Sequence, residues 1–66
     1  MKIGDIVKLH RGTYNHFGLE SFTAILVEKI PRKDRLEYDW LVLTDGRFIE
    51  LGRQIEQTAE VISETR

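Results

Sequence analysis

Sixty-six residues make one domain, residues 1–66, near the lower limit at which a chain buries enough apolar surface to offset its conformational entropy. With 41% hydrophobic and 32% charged residues the chain has a globular composition, and with no cysteine it excludes disulfides and thiolate-bound zinc and suits a reducing cytoplasm. Ten basic residues against eleven acidic ones give a net charge of −1, which provides no global attraction to nucleic acid or to an anionic membrane.

The first predicted element is "GDIVKL", Gly4 to Leu9, a half-buried strand in which Ile3, Val7 and Leu9 share one face and Lys8 and His10 the other. "HRGTYNHFGLES", His10 to Ser21, follows as a long first loop, too polar and too broken by Gly12, Asn15 and Gly18 for an element of its own. "FTAILVEKI", Phe22 to Ile30, is dense in apolar and β-branched residues and reads as strand two, ended by Pro31. After the charged connection "PRKDRLE", the stretch "YDWLVLTDGRFIEL" predicts strands three and four joined at Asp45-Gly46, because that pair tolerates the positive φ angles of a type I′ turn. A two-residue turn pairs Thr44 with Arg47, Leu43 with Phe48, Val42 with Ile49, Leu41 with Glu50 and Trp40 with Leu51. The last segment admits a short helix through Ile55, Ala59 and Ile62, or a turn at Arg53 to Gln57 followed by a closing strand "AEVIS"; the second is preferred. No stretch approaches the roughly 20 apolar residues of a membrane span, and the N-terminus lacks the apolar run of a signal peptide, so a cytoplasmic protein is expected.

Five short strands with one long loop and one tight hairpin predict an all-β fold, a small bent barrel whose closure would remove exposed edges. In its opening "GDIVKL", its long loop, and "LVLTDGRFIEL" followed by a turn and "AEVIS", the chain resembles SH3-like barrels. More narrowly, it resembles the small single-domain SH3-like proteins encoded by tailed bacteriophages, including those of cyanobacterial hosts, with their "GD.V" start and "V.W.DG" hairpin. Leu43 stands where an aromatic is common in them, and the first loop is longer. A looser likeness is to the small barrel protein of photosystem I, which is of this size and opens on a short basic strand. The resemblance implies a five-stranded SH3-like barrel, phage-encoded, acting without catalysis as a protein–protein interaction module that self-associates or docks on a host or virion protein.

His10, His16 and Glu20 carry the side chains a metal site needs, but spacings of six and four residues match no helical or zinc-finger pattern, so no metal or cofactor is expected. As catalytic bases the histidines lack an activating motif beside Ser21 or Thr13, and no enzyme is expected. An alternative function is nucleic-acid binding through Lys29, Arg32, Lys33 and Arg35 with Tyr14, Phe17 or Trp40 as stacking platforms; interleaved Glu28, Asp34, Glu37 and Asp39 largely cancel that field. The hairpin is apolar on both faces, Trp40, Val42, Ile49 and Leu51 on one and Leu41, Leu43 and Phe48 on the other. Either coiling and the C-terminal segment cover the second face, or it is an interface. The expected contact residues are Tyr14, Phe17, Trp40 and Phe48, with Arg32 and Lys33 setting partner choice by charge. Tyr14 and Phe17 either point outward to join that surface or fold inward as a lid.

Overall fold

A computed structural model describes residues 1–33 and 37–63. Its strands are β1 (Ile6–Lys8), β2 (Thr23–Pro31), β3 (Tyr38–Thr44), β4 (Arg47–Leu51) and β5 (Glu60–Ser63), with two short helices, α1 (Arg11–His16) and α2 (Ile55–Thr58). All strand pairs are antiparallel, and they form one sheet in the order β4-β3-β2-β1-β5. Backbone pairing does not close the sheet into the expected barrel: among the described residues, β4 and β5 are its two edges.

The hairpin has the predicted register at all five positions. Asp45 and Gly46 hold φ angles of 55° and 74°, the positive pair that a type I′ turn requires, and the twist of such a turn matches that of its strands. Alternation then sends Trp40, Val42, Thr44 and Leu51 inward, where they are buried with Val7, Leu9, Leu19, Ala24, Leu26 and Ile55. Thr44 is tolerated there because its hydroxyl donates to the Thr23 carbonyl at 2.7 Å. In β2 the ladder passes from Leu26↔Val42 to Glu28↔Leu41, so Val27 is an inserted residue, a bulge that bends the strand.

Two expectations about the first half of the chain are corrected. The opening strand is shorter than Gly4 to Leu9, and Ile3, assigned to the buried face, is 54% exposed. The reason is Gly4, whose φ of 95° turns the chain and breaks the alternation while its N–H still donates to the Leu26 carbonyl at 2.7 Å. Asp5 closes that turn, its buried carboxylate accepting the Lys2 N–H at 2.8 Å. Asp5→Ala is therefore expected to cost about 1 kcal/mol, because the turn loses the acceptor of the Lys2 N–H. Thermal melts followed by circular dichroism check this, at roughly 4–8 °C of Tm per kcal/mol for a domain of this size.

The second correction is the first loop, which contains α1. His10 starts the helix, its Nδ1 accepting the Gly12 N–H at 3.1 Å, as a capping side chain does. Gly18, at φ 64°, ends it. The Leu19 N–H donates to the Tyr14 carbonyl at 2.9 Å and the Gly18 N–H to that of Asn15 at 3.2 Å, the paired bonds of a Schellman stop. Leu19 and Tyr14 both pack into the core, so the cap anchors the loop over the sheet. The last segment follows the preferred reading of a turn and a closing strand: the turn is one helical turn, α2, that buries Ile55, and β5 follows it to pair with β1.

Candidate interaction surface

The outward face of the sheet carries a row of apolar side chains that the ladder aligns strand by strand. Ile6 of β1 pairs with Ile25 of β2, Ile25 with Leu43 of β3, and Leu43 with Phe48 of β4. On β5, Ser63 pairs with Ile6, and the register shift beside it makes Ile62 the extra residue at that end of the row. The row thus runs from edge to edge of the sheet, about 19 Å at the usual spacing of ~4.8 Å between strands. Phe48 is 64% exposed, Ile62 52% and Ile25 40%, while Ile6 and Leu43 are half-buried. Among the described residues, β5 lies beside β1 as an edge strand and does not fold across this face.

At the next outward position polar side chains stand on both sides of the row, except on β3, where Leu41 continues the apolar surface. Toward the Asp45-Gly46 turn stand Glu60, Lys8 and Thr23, with Glu60 and Thr23 both paired to Lys8, and Asp45 at the tip. On the other side Leu41 pairs with Glu28 and with Glu50. An apolar strip between polar margins can be dried by a partner while its margins stay in contact with water.

The six residues expected to make contact do not form one surface. Trp40 is 0% exposed and belongs to the core, which corrects its assignment as a contact residue. Tyr14 packs against that core, while Phe17 stands partly exposed with its ring 5.0 Å from that of His16, edge to face. Phe48 is on the outward row. Arg32 and Lys33 lie beyond the other end of the hairpin, about five residues or ~17 Å along β3 from the Leu43–Phe48 pair. Arg35, the last residue of the expected basic connection, is outside the described residues.

Two cations of that connection, Lys29 and Arg32, are engaged with their own neighbours. Arg32 Nε lies 3.8 Å from an Asp39 oxygen, and the Lys29 ammonium stands 4.7 Å over the Tyr38 ring and 5.3 Å over that of Trp40. Glu56 of α2 accepts from the Tyr38 hydroxyl and, at 3.2 Å, from Trp40 Nε1–H, with Arg53 Nε 3.7 Å away. The Tyr38 hydrogen bond holds the Glu56 carboxyl below its ordinary pKa against partial burial, helped by Trp40, Arg53 and Lys29. The same bond, then burial and the Glu56 charge, raises the Tyr38 hydroxyl, with Arg53 opposing. This network pins α2 to β3.

The histidines lie in a cleft of about 400 Å³ between α1 and the β4–α2 connection, lined by His10, Thr13, His16, Phe17, Leu51 and Ile55 among others. His10 uses Nδ1 as the helix cap, and the Glu20 backbone N–H donates to Asp45 at 3.3 Å, which ties the loop to the hairpin tip. Among the described residues, no three histidine or carboxylate side chains come together as metal ligands would. No helix among them is long and apolar enough to cross a membrane.

Ile6, Ile25 and Ile62 are the surface residues that sequence reasoning missed. Leu43–Phe48 followed from the turn, but extending the row into β2 and β1 requires their registers, which no tight turn fixes. No family model matches the chain, and no curated protein or solved structure matches it either.

Proposed function

We propose that the chain is an SH3-like barrel that works as a non-catalytic protein–protein interaction module, and that its outward apolar row is the contact surface. The observation that carries this reading is the alignment of Ile6, Ile25, Leu43 and Phe48 as successive cross-strand partners, with Phe48 and Ile25 open to solvent. The barrel assignment is supported by the antiparallel order β4-β3-β2-β1-β5, the bulge that bends β2, and the single helical turn before the last strand. Nucleic-acid binding is less favoured, since Lys29 is committed to two rings and Arg32 to Asp39.

A photoreactive phenylalanine analogue in place of Phe48 tests the surface. Irradiation in extract of the source cells should give covalent adducts with a protein, far above those from the same analogue in place of exposed Gln57. Equal yields from the two positions would reject the row as the contact surface.

A further inference from the structure

We infer that the partner presented to this row is a cationic amphipathic helix; the inference rests on the row being the contact surface and specifies what it takes. The first reason is commensurability. Successive side chains of the row are one strand apart, ~4.8 Å, while contact residues on successive turns of a helix are ~5.4 Å apart and same-face residues of an extended strand ~6.8 Å. Over the three intervals from β1 to β4, a helix laid across the strands drifts out of step by about 1.8 Å, less than one side-chain width, whereas an extended segment drifts by about 6 Å. A helix of roughly 13 residues spans the row, with apolar residues at i, i+4, i+7 and i+11.

The second reason is charge. Glu60 and Asp45 lie along one margin, with Lys8 as its cation, and Glu28 and Glu50 along the other. The Lys8 ammonium lies 6.0 Å over the Phe22 ring and its cross-strand partner is Glu60. Among the described residues, four carboxylates against one ammonium leave the margins net negative, on a chain whose overall charge is only −1. A second copy brought face to face would set one acidic margin set against another, so self-association through this row is opposed by the same charges that attract lysine and arginine.

The test uses the whole chain and a 15-residue peptide with leucine at i, i+4, i+7 and i+11 and lysine at the flanking positions. Controls are the same peptide with glutamate for lysine and a scrambled peptide of identical composition. Titration followed by two-dimensional amide NMR should give saturable shifts for the leucine–lysine helix centred on Ile6, Ile25, Leu43 and Phe48. The affinity should fall about tenfold or more with glutamate flanks, with scrambling, and in the Glu28→Lys, Glu50→Lys protein, as expected when margin charges select the partner. Phe48→Ser, at a mostly exposed site, should weaken binding while keeping the amide spectrum of the fold. Indifference to flank charge or scrambling, or shifts centred elsewhere, would overturn the inference. So would light scattering that gives a dimer lost on Phe48→Ser, because the row would then be covered by a second copy. Adducts from position 48 with no binding of the cationic helix would reject the helix alone and leave the contact surface standing.

Discussion

Trp40→Ala is expected to leave a large fraction of the chain unfolded at 25 °C. The side chain is wholly buried with Val7, Leu26 and Val42, and its removal costs ~3–5 kcal/mol in transfer and cavity terms. A 66-residue domain has roughly 3–10 kcal/mol of total stability, so this one change consumes most of it. Urea unfolding followed by circular dichroism should show a lost or strongly shifted transition. Trp40→Phe, which keeps a ring but removes the donor to Glu56, should fall between the two. A Trp40→Ala protein melting within a few degrees of the parent would mean that Trp40 is not in the core.

Glu56→Ala should be the next most damaging change, because it leaves the buried Trp40 Nε1–H without its acceptor, at ~1–3 kcal/mol, and releases α2 from β3. Glu56→Gln keeps an acceptor and should cost less, but it removes a pH dependence that the parent carries. The Glu56 carboxyl titrates lower in the folded chain than in the unfolded one, so its stabilisation is complete above the ordinary glutamate pKa and disappears as pH falls through the folded value. Tyr38 is raised instead, so its share is present below the ordinary tyrosine pKa and is lost as alkaline pH rises through the folded value. Melting temperatures from neutral pH down through the glutamate range should fall more steeply for the parent than for Glu56→Gln. Parallel curves would show that the carboxylate is not held by this network.

The hairpin was legible because one local feature, Asp45-Gly46, fixes register, and register fixes which side chains share a face. The same logic exposed an apolar second face on Leu41, Leu43 and Phe48. What could not be read locally was set by backbone geometry at single residues. Gly4 turns the chain and puts Ile3 outside; His10 and Gly18 cap a helix inside a polar loop; Val27 adds a residue to β2. Trp40 was misplaced for another reason. An aromatic looks alike in a core and in a contact patch until its ring N–H is matched to a partner, and that partner, Glu56, lies in α2, sixteen residues further along the chain.

The bulge at Val27 also bears on inheritance. Strict alternation through a strand of this length would turn Glu28 toward the core and Lys29 away from it; the inserted residue reverses both, so that Glu28 faces outward opposite Leu41 and Lys29 reaches the Trp40 ring. Loss of that one codon would leave a regular ladder with Glu28 and Lys29 still on their present sides, and only the bend would relax. β2 therefore carries a spare position, where the gene can shorten by a residue without turning a strand inside out.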